Sequence, residues 1–537
     1  MPKRDPRPFA VVDSETDPFL AGRMPEPFLW GFYNGKEYRQ FSTADELMVF
    51  LSDKRYLIYA HNGGKFDFHF LAEYMEPHTT IMLIGGRIAS FKIGQCEFRD
   101  SINILPVALA QYQKTEIDYS IFERGERDLP ENKAEIEAYL RDDCVDLYNF
   151  IKTFIDGYGV QITQASAAIR QWQKIEKIKA PRSDKEYYEE YSRYYYGGRV
   201  QCFSRGVSDA RFYVADINSA YPRAMLEKHP FNMSAYDDNL ALDRIVGASF
   251  VSLRCVSAGA LPYRADNGSL SFPNDRQLRD FDCTGWEVLS ALRTGTIREV
   301  ELTRLVNFRE TIDFNEYIQK FYQARLACKA TGDKAGDIIN KLLMNSLYGK
   351  FGANPSKYKK YVLVDPEAFE KGEIIDFDDD DFKITGELGP WLLASRPLDD
   401  LETRYYDVST GASITGYVRA FLWESICKVG VENVLYCDTD SIAATAGLAS
   451  LDVGKALGQW KHEGDFDRYA IAGKKLYAFR AVDGSYKTAA KGAKLSPREI
   501  ENVARGEKVV YHPDAPTFSA HKKPGFTPRV IQQTGNP

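Results

Sequence analysis

Residues 434–444 read VLYCDTDSIAA. Two apolar, β-prone runs flank a polar centre, the pattern of two strands joined by a very tight turn with Asp438 and Asp440 at its tip. Side chains two apart on extended backbone point the same way, so both carboxylates can converge on one cation. Taken alone, the stretch is equally an ordinary Asp-Thr-Asp turn at a solvated surface, because Asp is a favoured turn residue. Other parts of the chain decide between the two.

Residues 211–225 (RFYVADINSAYPRAM) contain an apolar strand that delivers Asp216, followed by Ser219-Ala220-Tyr221-Pro222. With Asp438 and Asp440 this makes a carboxylate cluster suited to two Mg²⁺ ions and a triphosphate. Tyr221 is placed to fill the space that a ribose 2′-hydroxyl would need, which favours DNA over RNA. In residues 336–352 (GDIINKLLMNSLYGKFG), Lys341, Asn345 and Tyr348 share one helical stripe while Leu342, Leu343 and Leu347 can face a core. Gly349 can end that helix. Arg325 and Lys329, one turn apart on the preceding segment, predict a second, antiparallel helix that closes on the phosphates. Each segment in isolation is also an ordinary amphipathic helix with a polar face.

The N-terminal third repeats the theme. Residues 9–15 (FAVVDSE) read as a buried strand ending in Asp13 and Glu15 on one face, and acids there are costly unless solvated or metal-bound. Residues 57–71 (LIYAHNGGKFDFHFL) break at Asn62-Gly63-Gly64 and resume with Phe66 and Asp67, where an Asn-Gly turn with Asp67 as a helix N-cap is the plain alternative. Residues 135–151 (EIEAYLRDDCVDLYNFI) are helical, with Tyr139 and Asp143 on one face that could equally be solvated. Four acids on separate elements, Asp13, Glu15, Asp67 and Asp143, form a ligand set for two hard divalent cations that activate a water on a phosphodiester, with Tyr139 one turn away to orient that water.

At 537 residues the chain exceeds one ordinary core, so two or more domains are expected. No run is long and apolar enough for a bilayer, the start lacks a secretory pattern, and eight cysteines without CxxC spacing suggest neither zinc nor disulfides, so a reducing compartment fits. The net charge of −7 is unevenly spread: residues 373–381 (EIIDFDDDD) are densely acidic, whereas lysines cluster at Lys357, Lys359 and Lys360, at Lys474 and Lys475, at Lys487, Lys491 and Lys494, and at Lys522 and Lys523. Distribution, not the total, governs whether nucleic acid binds.

In order, DINSAYP, KLLMNSLYG and YCDTDS resemble motifs A, B and C of the B-family DNA polymerases, and DxE, Asn with Phe-Asp, and YxxxD resemble the three motifs of proofreading 3′→5′ exonucleases. The likeness runs from about residue 9 to 479. It implies a multidomain α/β and α+β fold, an RNase H-like exonuclease domain (1–180) before a right-hand polymerase (181–537) with palm motifs at 216–222 and 436–441, fingers at 313–352 and a small thumb at 485–537. It implies that Asp216 and Asp440 bind two Mg²⁺ or Mn²⁺ ions with Asp438 in support, that dNTPs are substrates, and that Thr16, Asn62 and Phe66 hold a frayed primer end. Ser101, Ile102 and Lys114 fall where the family places single-strand contacts and a lysine near the catalytic site. Tyr195, Gly197 and Gly198 resemble the linker motif between the two domains, and Lys475 with Tyr477 the late KxY motif at the primer terminus, a contact that Lys491 to Lys494 would continue.

The compact size is similar to the protein-primed polymerases of small phages and linear plasmids. Two intervals, 258–312 and 355–405, agree with that group's insertions, the first implied to contact a terminal protein and duplex DNA, the second to close a ring over template and product. The resemblance thus implies a monomeric viral or plasmid-encoded enzyme of the host cytoplasm, away from membranes, that binds primer-template and single-stranded DNA. The alternatives are a stand-alone nuclease whose second half binds DNA, and a silent scaffold. The Pro-rich end after Lys494 suggests a small thumb with a loose tip.

Overall fold

A computed structural model describes residues 7–112, 115–370, 382–399 and 403–533. Lys114 and the acidic block 378–381 lie outside the described residues.

The N-terminal unit is built on a sheet whose centre is apolar on both faces. The strand Phe9–Thr16 lies between Pro27–Tyr33, antiparallel, and Leu57–Ala60, parallel, which in turn runs parallel to Cys96–Asp100. Val11 and Val12 are both buried, so neither face is solvated and the acids sit only where the strand ends. The helix Pro130–Tyr158 packs Leu140, Cys144 and Leu147 against this sheet. Beyond Thr80–Ile84 the sheet continues into Lys359–Val364, Trp391–Pro397 and Lys383–Leu388, giving ten strands. The described part of the second insertion therefore extends the N-terminal sheet, and Trp391 Nε1 donates to the Ala72 carbonyl at 2.9 Å.

The second unit has a seven-stranded sheet in the order Tyr486–Ala490, Leu476–Ala481, Trp460–Gly473, Gly206–Ile217, Ser441–Ala444, Val434–Asp438 and Val200–Cys202. Behind it lies Val408–Val429, a helix buried nearly all round because small residues (STGASITG) let neighbours approach from every side. The helices Asn315–Thr331 and Lys334–Phe351 form the expected antiparallel pair, turned by Gly332 at φ 74° and started by Asp333, which accepts from Gly336 N at 2.9 Å.

Two boundaries differ from the sequence expectation. The helix Gln164–Glu176, assigned to the N-terminal domain, sends Trp172 into the second core, with ring centroids 5.5 Å from both Phe314 and Phe351. The first insertion begins earlier than 258: its four-stranded sheet orders Ala235–Asp237, Ile297–Phe308, Phe250–Ser257 and Leu278–Thr284, so a strand expected in the palm is central to it. The last residues, 534–537, where a loose tip was expected, lie outside the described residues, but the chain ahead of them is folded. The hairpin Thr517–Ser519 with Lys522–Gly525 buries Phe518 and Ala520, and Phe518 packs edge-on against Phe66 at 5.4 Å.

Candidate active sites

The opening stretch is the hairpin it suggested. Val434–Asp438 and Ser441–Ala444 pair antiparallel around Thr439 and Asp440, with Thr439 at φ 60°. Asp216 stands opposite Ser441 in the adjoining strand, which brings it beside Asp440. The turn is held from outside. Thr439 N donates to the Arg199 carbonyl at 2.7 Å, Ile217 N donates to the Asp440 carbonyl at 2.8 Å, and a Cβ on Gly198 would lie 2.5 Å from Thr439 Oγ1. The linker is itself gripped by two buried arginines. Arg419 donates to the carbonyls of Tyr196 and Gly197 at 2.6 and 2.9 Å and pairs with Glu287 at 2.7 Å. Arg199 donates to the Gly259 carbonyl at 2.8 Å and lies over the rings of Phe272 and Trp423 at 4.1 and 4.4 Å. Sequence reasoning passed over both, although an arginine in the otherwise apolar run ASITGYVRAFLW was a usable signal.

A cavity of about 520 Å³ opens above the hairpin and joins Asp216 and Asp440 to Arg325, Lys329, Lys341 and Asn345, as the helical spacing predicted. Lys455, Lys461 and Tyr322 also line it and were not foreseen. Arg325 is already engaged by Asp337, Nε to Oδ1 at 2.6 Å. Asn345 caps back onto the Lys341 carbonyl at 2.8 Å. Beside the cavity the rings of Tyr221 and Tyr348 stack, centroids 4.0 Å apart and 11° from parallel. Burial and the neighbouring Asp440 push the Asp216 carboxyl up to about 7, and burial together with Asp438 pushes Asp440 up to about 6. Lys475 Nζ bonds both carboxylate oxygens of Asp438, at 2.9 and 2.6 Å. Tyr477 stacks on Phe479 and leans on Tyr436, so its ring is partly fixed by its own sheet.

The N-terminal acids converge more tightly. Oxygens of Asp13, Glu15 and Asp143 all lie within 4.8 Å of one another, the only such group among the described residues. Asp67 is adjacent, accepting from Ser14 Oγ at 2.5 Å, and it does not cap its helix. Burial and three neighbouring carboxylates hold the Asp13 carboxyl far above its ordinary value, and burial lifts Asp67 to about 6. Acids crowded in this way are the donor set for a hard cation, which would replace the protons. Tyr139 is buried one turn from Asp143, its hydroxyl 3.0 Å from that of Tyr119, so the helix face is not solvated.

A cleft of about 430 Å³ at this site is lined by Asp13, Asp67, Asn62 and Phe66, and also by Phe19, His61 and Phe518. Asn62 is held at φ 63° as the chain enters a short 3₁₀ turn, and Gly64 is required there because a side chain would strike the Ile88 carbonyl. Thr16 follows a strand irregularity at Glu15, its hydroxyl directed to the Asp17 carbonyl. Ser101 is a correction. Expected to touch DNA, it is fully buried, bonded to His61 Nδ1 at 2.9 Å and to the Ala60 carbonyl at 3.2 Å. It orients His61 in the cleft wall. Ile102 is half-buried, its N–H capped by Asp100.

A family model described as DNA polymerase type B, organellar and viral, matches residues 109–387. The DNA-directed DNA polymerase of Enterobacteria phage PRD1 is 35% identical, over 98% of each chain. The chain belongs to the type B DNA polymerases of organelles and viruses. The DNA polymerase of Bacillus phage phi29 is 26% identical over 50% of this chain and 46% of its own. A solved structure of phi29 DNA polymerase with primer-template DNA shares the fold at TM-score 0.73 and 18% identity, covering 98% of this chain and 100% of that one. The polymerase thus has the multidomain fold expected, and as a DNA-directed DNA polymerase it is neither a stand-alone nuclease nor a silent scaffold. None of its described helices is long and apolar enough to cross a membrane.

Two outcomes follow from the geometry. A divalent cation held by Asp216 and Asp440 would displace protons wherever the two carboxyls, lifted to about 7 and about 6, still carry them. Calorimetry in buffers of differing ionisation heat should show proton release on Mg²⁺ binding near about pH 6 and little near about pH 8, with less release in Asp216→Asn. Equal release at both would contradict the crowding. Gly198→Ala should lower polymerisation by about 10²-fold, since it displaces the Thr439 turn, while degradation of single-stranded DNA, measured on the same preparation, stays at the parental rate.

Proposed function

We propose that this polymerase couples dNTP incorporation in the palm to 3′→5′ proofreading in the N-terminal unit, and that it starts synthesis on a protein hydroxyl. The observation that carries the first part is the single cavity that puts Asp216 and Asp440 against Lys329 and Lys341. A triphosphate fits that distribution of charge, with its α-phosphorus at the carboxylates and its outer phosphates at the lysines.

Asp216 and Asp440 would hold two Mg²⁺ or Mn²⁺ ions, which supply a lowered pKa for the attacking hydroxyl and charge stabilisation for the leaving pyrophosphate. Lys341 and Lys329 bind the phosphates from the fingers helices, and Arg325, positioned by Asp337, joins them. Tyr348 forms the floor for the incoming base or sugar, and Tyr221, stacked beneath it, closes off the space of a 2′-hydroxyl. Lys475 holds Asp438 in an ion pair, and an arriving primer terminus offers the lysine a phosphate in exchange. Gly198 supports the turn, Tyr195 packs beside Gly352 at the end of the fingers helix, and Tyr477 backs the primer strand.

In the N-terminal site, Asp13, Glu15, Asp67 and Asp143 would hold the two ions, and Tyr139 orients the attacking water. Phe66 offers a ring face to the terminal base, with Asn62 and Thr16 beside it. Protein priming is supported by membership in the organellar and viral type B group, by PRD1 polymerase matching nearly end to end, and by a folded insertion where a terminal protein would dock. A monomer in the cytoplasm of a host cell is the matching setting.

Asp440→Asn should reduce dNTP incorporation on a primed template by roughly 10²-fold or more and leave single-strand degradation intact. Asp13→Ala with Asp67→Ala should do the reverse, and full retention of both activities in either variant would refute the two-site assignment. Incubation with a labelled dNTP and a candidate terminal protein should yield a nucleotide covalently joined to protein. Synthesis that proceeds only from DNA or RNA primers would overturn the priming proposal.

A further inference from the structure

The nucleotide cavity has a second basic wall, on the palm side. Its lining carries five cationic side chains, Arg325, Lys329, Lys341, Lys455 and Lys461, against three carboxylates, Asp216, Asp440 and Glu463. Two of the five are already committed: Arg325 to Asp337 at 2.6 Å and Lys461 Nζ to Glu463 at 2.7 Å. Lys329 and Lys341 belong to the fingers helices. Lys455 comes from the opposite side, on the loop between the catalytic hairpin and the long strand Trp460–Gly473, and it makes no ion pair among the described residues.

That loop is fixed, which distinguishes Lys455 from a stray surface lysine. Its ends are tied by Gly454 N to the Trp460 carbonyl and Trp460 N to the Asp452 carbonyl, both 2.9 Å. Its interior is braced by Gln459, whose Oε1 accepts from Ala456 N at 2.9 Å and whose Nε2 donates to Asp452 at 3.1 Å. Three further bonds fasten it to Asn218, two residues beyond Asp216: Asn218 Nδ2 to the Gly454 carbonyl at 2.9 Å, Gly458 N to the Asn218 carbonyl at 2.8 Å, and Asn218 N to the Gln459 carbonyl at 2.9 Å. Gly458, at φ 84° and pressed against Arg223, makes the bend that turns the loop back. The backbone at Lys455 is therefore tied to the residue two beyond Asp216.

We infer that Lys455 is a palm-side ligand for the β- and γ-phosphates of the incoming dNTP and for the pyrophosphate they become. In the reaction the primer 3′-oxygen forms a bond to the α-phosphorus, the bond from that phosphorus to the α,β-bridging oxygen breaks, and the electron pair leaves on pyrophosphate. Lys329 and Lys341 stand on the fingers helices, whereas Lys455 stands on a loop tied to Asn218 of the palm. It sets a cation beside the leaving group from the opposite wall, and in the reverse reaction it receives pyrophosphate from solvent.

The inference rests on reading the cavity as the nucleotide site, so Lys341→Ala is run in parallel. Lys455→Ala should raise the KM for dNTP about ten-fold or more, the size of a lost charge-assisted contact, and should raise the pyrophosphate concentration needed for pyrophosphorolysis by a similar factor. Lys455→Arg should retain both, and primer-template affinity and single-strand degradation should stay unchanged. An unaltered dNTP KM and pyrophosphate dependence in Lys455→Ala, with Lys341→Ala impaired, overturns this inference alone. Weakened primer-template binding with unaltered dNTP KM would place Lys455 on DNA instead and overturns it too. An unaltered dNTP KM in Lys341→Ala would remove the reading of the cavity itself.

Discussion

The hydrogen bond from Thr439 N to the Arg199 carbonyl is the constraint on which the polymerase site depends. A two-residue turn carrying Asp438 and Asp440 has no side-chain packing of its own, and its central threonine sits in a backbone region that non-glycine residues rarely adopt. It keeps its shape because the linker strand presses on it through Gly198 and accepts its free N–H. The linker is kept there by Arg419 and Arg199, each buried and each donating to carbonyls, with Arg419 also paired to Glu287. Burial still draws the Arg199 guanidinium down, to about 10. Glu287, which completes this arrangement, belongs to the first insertion. The catalytic turn is thereby tied to four segments widely separated in sequence.

The two carboxylate sites meet a common difficulty in different ways. Asp13, Glu15 and Asp143 are drawn together, and burial with the neighbouring carboxylates raises the affinity of Asp13 for protons. In the palm the acids are fewer and half-buried, and one of the three is shielded by Lys475. The N-terminal site is therefore assembled before any substrate arrives, while the palm is completed by what enters it. That contrast suits the proposed division between a synthetic site that must take four different substrates and a degradative site that accepts any frayed end.

Much of this was legible in the sequence where local chemistry decides. The turn at Asp438 and Asp440, the stripe of Lys341, Asn345 and Tyr348, and the pairing of the two fingers helices all follow from short periodicities and turn residues, and the structure places them as expected. What was missed depends on contacts across long separations. Ser101 was expected at a single-strand contact from the family resemblance, but parallel pairing of two distant strands buries it against His61. Phe518 looked like part of a loose tail until it met Phe66 and Phe70. Lys455 has no distinguishing pattern at all, since only the bonds from Asn218 aim its loop at the cavity. The insertion boundary at 258 failed because the strand Phe250–Ser257 is as apolar as a palm strand, and its allegiance is settled by its partners rather than its composition.

The ten-stranded sheet has a consequence for how the chain can be altered. Thr80–Ile84 would be the edge of the N-terminal sheet were it not covered by Lys359–Val364, a strand supplied nearly three hundred residues later. An excision that removes the second insertion would strip that cover, leaving unpaired N–H and C=O groups along a strand that also carries Ile81. The loss would first be felt as self-association of the protein through a sticky border, before any question of how it travels along DNA could be asked. The segment that looks most like an ornament on the polymerase is, for the neighbouring domain, a seal.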